Sequence, residues 1–243
     1  MNLILLFQDD FIKPDRVTLK ERRAEHIFKV HRAKIGDLLT VGILNGKIGT
    51  GKLLSMDSVK REIELEVKLI NDPPPPLPLT LVIALPRPKM LRRIFQSVAS
   101  LGIKKIFIIN SWRVEKAFWS SLMLEPKNIE HELILGLEQA KDTVMPEIHL
   151  KRLFTPFITK ELSSLKANAS NITAITAHPK GVLPCPQNIN QNGILVMGPE
   201  GGFIDIEIDT LEKAGFTTVN LGQRILRLET AVPFIVSRLY SSI

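Results

Sequence analysis

The chain has 243 residues, of which 44% are hydrophobic, and it carries a net charge of +7 at pH 7. Its single cysteine, Cys185, excludes an intramolecular disulfide and a multi-cysteine zinc site, and its five histidines lack the spacing of metal ligands. No apolar run approaches the roughly 18 residues of a membrane span, and no basic region precedes the short apolar start. We therefore expect a soluble, cytoplasmic protein without a metal centre.

The N-terminal part of the chain predicts a small, β-rich module. In segment 61–70, Ile63, Leu65, Val67 and Leu69 alternate with charged residues, as in a half-buried strand. Turn signals such as Asn45-Gly46 separate the strands. The strand-like segments are 37–44, 46–56 and 61–70, and segment 21–33 fits one short helix.

Four consecutive prolines at 73–76 form the clearest break in the chain. Proline cannot donate a hydrogen bond to a β-ladder, and a proline run forms a stiff spacer. We place a domain boundary there, which predicts one domain at 1–72 and a second at 73–243.

After the prolines, apolar runs alternate with helical patterns, which predicts an α/β domain with a parallel sheet. The last helix contains Pro233, which we expect to be tolerated only in the first turn of that helix. The predicted strands are 79–85, 105–109, 147–153, 172–177, 193–197 and 217–221. The predicted helices are 88–101, 126–141, 155–166, 204–214 and 228–240.

The positive charge is concentrated in one segment. Residues 73–117 hold eight Lys or Arg and one acidic residue, whereas the flanking parts are close to neutral. A localised basic patch favours a polyanionic partner, most plausibly nucleic acid. Trp112 and Trp119 could stack on bases, although we favour packing in the core or in a dimer. The candidate backbone-binding residues in this segment are Arg87, Lys89, Arg92 and Arg93.

One glycine-rich stretch, "GKIGTGKL" at 46–53, matches the glycine and lysine spacing of a phosphate-binding loop. The position after Lys52 is Leu53, which has no hydroxyl for a metal ion, and a strand-like segment follows instead of a helix. We interpret it as a β-hairpin turn, with a nucleoside triphosphatase as an alternative.

A second stretch, "GPEGG" at 198–202, follows a buried strand and precedes a helix. Two other strand ends carry loops of the same kind, at 176–181 and 219–230. Ligands of open α/β sheets bind beyond the carboxyl ends of strands, so these loops could share one pocket. Ile225 and Leu226 could wall an adenine ring, and Glu200 suits a ribose hydroxyl or a cation better than a phosphate.

"GPEGGF", followed 18 residues later by "LGQRILRLETA", resembles the RsmE family of ribosomal RNA small-subunit methyltransferases, in the SPOUT superfamily. "HIFKVHRAKIGD" at 26–37 is similar to the family's N-terminal PUA-like segment, which includes Arg32. "EQAKDTVMPEI" at 138–148 and "HPKG" at 178–181 are similar to its central segment and its H-P loop. The resemblance covers nearly the whole chain.

The resemblance implies methylation of uridine N3 in 16S ribosomal RNA of the small subunit, with S-adenosyl-L-methionine as cofactor. It also implies a homodimer, and a parallel sheet with a C-terminal trefoil knot after a small PUA-like β-barrel that binds RNA. The cofactor-lining residues that it implies are His178, Gly198, Glu200, Gly201, Gly202, Leu221, Gly222, Arg224, Ile225, Leu226 and Arg227.

The acceptor N3 must lose its proton, and a cation would stabilise the resulting anion. We expect Arg227 or Arg224 in this role, and Glu229 in proton handling or in holding Arg227. A helix N-terminal carboxylate is the other interpretation of Glu229. The target base must be unpaired or flipped out of a helix.

The sequence departs from the family pattern at a few positions. Lys141 and Asp142 alter the central segment, and Gln223 and Leu228 alter the last motif. Ile204 stands where Ser or Thr usually caps the helix, so we expect Asp205 to cap it. Two further alternatives remain open: a SPOUT methyltransferase acting on another RNA or on a ribose 2′-hydroxyl, and a non-catalytic RNA-binding protein.

Overall fold

The computed structural model describes residues 2–167 and 171–241, which divide into two compact units. The first unit comprises the chain up to Pro75 together with Ile134–Met145. The second comprises Pro76–Leu133 and the chain from Pro146 onward. The polyproline run lies at the boundary, but residues 134–145, which the pattern assigned to the second domain, belong to the first unit.

A six-stranded sheet forms the first unit, in the order β1-β4-β5-β6-β3-β2. Only the β1–β4 pair is parallel. The strands are β1 Ile4–Leu6, β2 Phe11–Lys13, β3 Arg16–Leu19, β4 Leu38–Ile43, β5 Ile48–Asp57 and β6 Glu62–Asn71. The helical segments are a 3-10 turn Gln8–Asp10, α1 Glu21–His26 and a π-helical turn Ile27–His31.

The alternation predicted for β6 is confirmed, because Ile63, Leu65 and Val67 are buried in the core of this unit. The short strands β1, β2 and β3 were not predicted, since three or four residues are too few to show a period. Residues 134–145 join the unit through backbone contacts. The carbonyl of Glu138 accepts hydrogen bonds from the backbone N–H groups of Asn2 and Leu3, both at 3.0 Å.

The stretch at 46–53 is a hairpin, as interpreted, and not a phosphate-binding loop. Asn45 has a φ of 56°, and the Gly46 N–H donates to the carbonyl of Ile43 at 2.9 Å. The residues that follow form β5, so no helix N-terminus faces the glycines. A Cβ at Gly49 would overlap the Lys68 carbonyl, so this glycine is required by strand packing.

The second unit is a seven-stranded, all-parallel sheet in the order β11-β13-β10-β12-β7-β8-β9. Its strands are β7 Leu77–Ala84, β8 Ile103–Ile109, β9 Glu147–Lys151, β10 Ile172–Ala177, β11 Leu183–Pro184, β12 Asn192–Met197 and β13 Thr217–Asn220. Its α-helices are α2 Pro88–Ser100, α3 Pro126–Ala140, α4 Phe154–Pro156, α5 Ser163–Ala167, α6 Asp205–Lys213 and α7 Leu228–Leu239. The first part of helix α3, residues 126–133, belongs to this second unit, whereas its residues 134–140 belong to the first unit. The 3-10 segments are Lys116–Ser120 and Leu122–Leu124, and a π-helical segment, Phe157–Leu162, joins α4 to α5.

All six strands and all five helical segments predicted for this part are present, with the one at 155–166 formed by α4, the π-helical segment and α5. The two-residue strand β11 and the two 3-10 segments were not predicted. Continuous apolar runs form the centre of the sheet because both of its faces are covered. Residues Leu81–Ala84 of β7 and Ile194–Val196 of β12 are nearly inaccessible to solvent.

Pro233 is the sixth residue of α7 and not part of its first turn, so that expectation was wrong. Proline lacks the N–H that would bond the carbonyl four residues earlier, at Glu229. Val232, Ile235 and Val236 of the same helix are fully buried, and their burial offsets that lost bond. Throughout the described ranges, no helix is both long and apolar enough to cross a membrane.

Candidate active site

Strands β13, β10 and β12 are consecutive in the sheet, and a loop leaves the carboxyl end of each. We call them the HPKG loop (178–181, after β10), the glycine loop (198–202, after β12) and the arginine loop (221–227, after β13). The structure thus brings together the three strand ends that the sequence singled out. Such an edge of a parallel sheet is where ligands bind in α/β proteins.

The glycine loop is a tight turn. The Gly202 N–H donates to the Pro199 carbonyl at 2.7 Å, and Gly202 has a φ of 71°, which favours glycine. A Cβ at Gly198 would lie 2.9 Å from the backbone nitrogen of Phe203. Two of the glycines, Gly198 and Gly202, are therefore required by the turn itself.

Neighbouring segments hold this loop from outside. One carboxylate oxygen of Glu200 accepts the backbone N–H of Arg87, at the start of α2, at 3.0 Å. The guanidinium of Arg113 donates to the carbonyl of Gly201. Glu200 was predicted to contact the cofactor, and in this structure one of its oxygens is engaged by the N-terminus of α2.

A buried carboxylate, Glu207, fixes the segment that follows the glycine loop. It is 5% exposed and accepts three hydrogen bonds: from the backbone N–H of Trp112 at 2.8 Å, from that of Ile204 at 3.0 Å, and from the Ser111 hydroxyl at 3.2 Å. Hydrogen bonds to a charged acceptor are stronger than neutral ones. Glu207 therefore joins the end of β8 to the start of α6.

The expectation that Asp205 caps α6 is corrected by these contacts. The Ile204 N–H is satisfied by Glu207, at the third position of the helix, where an acid often reaches back to the cap. Asp205 instead pairs with Lys180 of the HPKG loop at 2.8 Å, and that ammonium lowers the pKa of Asp205.

His178 lies in the HPKG loop and is only 9% exposed. Its backbone N–H donates to the Val219 carbonyl at 2.9 Å, and its imidazole Nδ1 accepts the backbone N–H of Lys180 at 3.2 Å. Burial lowers the pKa of His178, and a hydrogen bond to the backbone of Phe203 partly opposes this. The imidazole is therefore neutral at neutral pH, with Nδ1 as an acceptor, and it links the HPKG loop to the end of the glycine loop.

The arginine loop is open by comparison. Gly222 has a φ of 108°, and its N–H donates to the side chain of Asn220 at 3.1 Å. Arg224 and Arg227 are exposed, Ile225 is 82% exposed, and Leu226 is half-buried. In the described parts of the chain, neither arginine side chain has a hydrogen-bonding or ionic partner.

Arg227 immediately precedes α7, and its carbonyl accepts the N–H groups of Thr230 and Ala231 at 2.9 and 2.8 Å. Glu229 lies in the first turn of that helix, where its charge favours the helix dipole. Its Oε2 is buried, and no group in residues 2–167 and 171–241 donates a hydrogen bond to it. The expected contact between Glu229 and Arg227 is therefore absent from this conformation.

A pocket of about 510 Å³ lies beside these loops, between the HPKG loop and the outer face of α6. Of the predicted cofactor residues, only His178 lines it. The glycine and arginine loops do not line this pocket. Among the described residues, no group of three or more His, Cys, Asp or Glu could hold a metal ion.

The predicted RNA-binding residues are exposed, but they are not equivalent. Arg92 forms an ion pair with the buried Glu132 at 2.8 Å, so its charge is partly compensated. Arg32, in the first unit, has a φ of 50°. The exposed residues of the predicted set are Arg32, Arg87, Lys89, Arg92 and Arg93.

The altered central segment makes contacts within the first unit. Lys141 ends α3 with a φ of 57°, and the buried Asp142 accepts the N–H of Val144 at 2.9 Å. Glu138, also buried, forms a bidentate ion pair with Arg22 at 2.8 and 3.1 Å. These residues belong to the first unit. Of the departures in the last motif, Gln223 is exposed, and Leu228 is buried at the start of α7.

Sequence reasoning missed Ser111, Arg113 and Glu207 as residues that shape the site. Glu207 carried a usable signal, because an acid three residues after a helix start is a capping pattern. Ser111 and Arg113 had none, since their partners lie 96 and 88 positions away in the chain.

Comparison with known proteins identifies the family to which the chain is similar. The model of a family described as "RNA methyltransferase domain" matches residues 73–240. A ribosomal RNA small subunit methyltransferase E of Treponema pallidum (strain Nichols) is 29% identical over 241 residues, which are 95% of this chain and 87% of that protein. A protein of the same name from Mesomycoplasma hyopneumoniae (strain 232) is 31% identical over 75% of this chain and 77% of its own length.

Among solved structures, the chain is similar to a ribosomal RNA small subunit methyltransferase E from Neisseria gonorrhoeae bound to S-adenosyl methionine. The TM-score is 0.73 at 21% identity, and the match covers 97% of this chain and 96% of that one. At this identity the likeness shows that the two chains share a fold over nearly their whole lengths.

Proposed function

The chain belongs to the RNA methyltransferase domain family and, within it, to the RsmE family, and we propose that it methylates N3 of a uridine in 16S ribosomal RNA with S-adenosyl-L-methionine. The observation that carries this proposal is the full-length similarity to ribosomal RNA small subunit methyltransferases E, joined to three loops at adjacent strand ends. A phosphate-binding alternative at 46–53 has no such support, because those residues pack within a hairpin.

The residues present fit this cofactor. Its adenine needs an apolar wall, and Ile225 is 82% exposed beside the half-buried Leu226. A close approach of backbone needs positions without side chains, and nothing lies within 4 Å of the Cβ direction of Gly222. When bound, the cofactor supplies an activated methyl group on a sulfonium. The lining set would be His178, Gly198, Gly201, Gly202, Leu221, Gly222, Ile225 and Leu226, with Glu200 at the α2 side.

Transfer forms a bond between the methyl carbon and N3 of the uracil, breaks the sulfur–methyl bond, and releases the N3 proton. The side chains of Arg227 and Arg224 are exposed and unengaged among the described residues, so either can place its charge against the uracil carbonyls as negative charge develops. Glu229 Oε2 is buried, and no described residue donates a hydrogen bond to it, which suits a carboxylate that accepts the N3 proton. Positioning of the two reactants supplies the rest of the rate enhancement.

RNA would bind through the exposed cations Arg87, Lys89 and Arg93 of the second unit and through Arg32 of the first. We assign the first unit, mainly residues 1–72, an RNA-binding role of the PUA-like β-barrel type, and residues 73–243 the SPOUT methyltransferase role. The six-stranded sheet with its own core is compatible with that assignment. Arg92 would contribute less, because its ion pair with Glu132 partly compensates its charge.

We also propose a C-terminal trefoil knot, supported by the path of the segment between β10 and β12. In this segment, the Cys185 N–H donates to the Asn220 carbonyl at the end of β13 at 3.0 Å. A few residues later, the Asn188 and Ile189 N–H groups donate to the carbonyls of Arg238 and Leu239 in α7. One loop thus holds both later elements. A homodimer and a cytoplasmic location, in the small-subunit context, complete the proposal.

The proposed function is tested by supplying methyl-labelled S-adenosyl-L-methionine and the purified protein to small ribosomal subunits from cells that lack it. The RNA is digested and its nucleosides are identified. We expect label in 3-methyluridine, and none with an Arg227→Ala/Glu229→Gln double variant. A Lys52→Ala variant is the matched control, because Lys52 belongs to the hairpin.

Label in a ribose-methylated or another base-methylated nucleoside would replace the proposed acceptor while keeping the cofactor. Absence of label, together with absence of cofactor binding by calorimetry, would favour a non-catalytic RNA-binding protein. Absence of label with cofactor binding intact would contradict the small subunit as substrate.

A further inference from the structure

The indole of Trp112 is 79% exposed, although it lies in a segment whose backbone is held firmly. The other tryptophan differs: Trp119 is 9% exposed, its Nε1 donates to the Asn110 side chain at 2.9 Å, and the Arg152 guanidinium lies 5.1 Å from its ring. Trp119 is therefore a packing residue, and Trp112 is not.

The anchoring of Trp112 comes from its own backbone and its two neighbours. Its N–H donates to Glu207 Oε1 at 2.8 Å, and the preceding Ser111, 2% exposed, donates to Glu207 Oε2. The following Arg113 donates to the carbonyl of Gly201. The backbone that carries the ring is thus held beyond the carboxyl end of β8, and the neighbouring Arg113 links it to the glycine loop.

Exposed cations lie next to this ring in the chain. Arg113 and Lys116 are exposed in segment 111–117, where Glu115 is the single acid. An exposed, rigidly mounted aromatic ring among cations is the combination with which proteins bind unpaired bases of single-stranded nucleic acid. A protein partner that covered the ring through apolar contact alone would leave these cations without a role.

We propose that Trp112 stacks on an unpaired base of the RNA substrate and so positions the RNA beside the glycine loop. This inference rests on the proposed function for the identity of the RNA. It assigns Trp112 to binding of the substrate, and it gives the buried Glu207 a second role in mounting that ring.

The two tryptophans differ in exposure, which makes intrinsic fluorescence a direct test. Wild-type protein, Trp112→Phe and Trp112→Ala are titrated with a short single-stranded RNA at fixed salt. We expect RNA to quench the wild-type emission, Trp112→Phe to keep its RNA affinity without that quench, and Trp112→Ala to bind about tenfold more weakly. Cofactor affinity by calorimetry stays unchanged, because the backbone N–H at position 112 remains. Leu122→Ala, at a position 70% exposed, is the control for losing an exposed apolar side chain.

Unchanged RNA affinity in Trp112→Ala, or a quench that survives in Trp112→Phe, would overturn the inference. So would a change in oligomeric state in Trp112→Ala without a change in RNA affinity, which would place the ring against a second copy of the chain. Stacking and methyl transfer are read separately. RNA-dependent quenching without methylation would refute the proposed function and leave the stacking role supported.

Discussion

The glycine loop and the arginine loop lie at the ends of strands separated only by β10, yet they are built in opposite ways. The glycine loop receives contacts from Arg87 and Arg113, and the helix after it is anchored by Glu207. The arginine loop exposes Arg224, Ile225 and Arg227, and within the described residues its one hydrogen bond to a side chain is the one that the Gly222 N–H donates to Asn220.

The difference indicates a division of labour. A loop that is fixed before binding spends no ordering entropy when a ligand arrives, whereas an open loop can close on the second reactant. We infer that the glycine loop is the preformed half of the site and that the arginine loop keeps its exposed side chains available to ligands. The comparison predicts that substitutions in and around the glycine loop lower the free energy of unfolding, whereas substitutions in the arginine loop lower the rate of methyl transfer.

The largest expected effect is on activity in the open loop. Arg227→Ala should lower the methyl-transfer rate by about 100-fold, because it removes a cation from the developing negative charge. Its free energy of unfolding should change by no more than about 0.5 kcal/mol, since the side chain is exposed. Initial rates and urea unfolding check the two parts, with Lys213→Ala as a charge-matched control. A large loss of stability in Arg227→Ala would contradict the proposed difference between the glycine loop and the arginine loop.

The next largest effect is expected at Glu207, which anchors the segment after the glycine loop. Glu207→Ala should lower the free energy of unfolding by about 3 kcal/mol, because it leaves the buried N–H groups of Trp112 and Ile204 without an acceptor. Urea unfolding measures this. Asp209→Ala, an exposed acid on the same helix, should have little effect. Equal stability of Glu207→Ala and wild type would show that the segment is not held in this way.

The turn of the glycine loop gives a smaller effect. Gly198→Ala should lower stability by about 1–3 kcal/mol and weaken cofactor binding, because the added Cβ lies 2.9 Å from backbone that must shift. Gly222→Ala meets no neighbour and should lower stability by only about 1 kcal/mol, through its positive φ. Calorimetry and unfolding of both variants test the ranking. A reversed order would contradict it.

The smallest effect is a dependence on pH through His178, which joins the HPKG loop to the glycine loop. Its pKa is lowered in the folded protein, so the unfolded chain binds the proton more readily. Stability from this group is full at neutral pH and is lost as pH falls below about 6.5. In His178→Gln, the free energy of unfolding should fall less between pH 7.5 and pH 5.5 than it does in the wild type. Urea unfolding of both proteins at these two pH values checks this. An identical change in the free energy of unfolding in the two proteins would exclude His178 as the source of the pH dependence.

Local patterns predicted most of the secondary structure. The elements of the second unit were identified because an apolar period is a property of neighbouring residues. The assignment of residues 134–145 to the second domain missed their place in the first unit, because α3 reads as one continuous helix along the chain. The interior position of Pro233 was also missed, since the burial that offsets it depends on packing around the whole helix.

For the site, the amino-acid pattern identifies the three loops, through glycines at strand ends and motifs that resemble one family. The contacts that hold those loops are visible only in the folded protein. The Glu207 carboxylate meets the Trp112 N–H across 95 positions, and the order of the strands brings the two together. A hydrogen bond between residues that are distant in the chain produces no periodic pattern in the sequence. The difference between the held glycine loop and the exposed arginine loop therefore becomes visible only in the folded sheet.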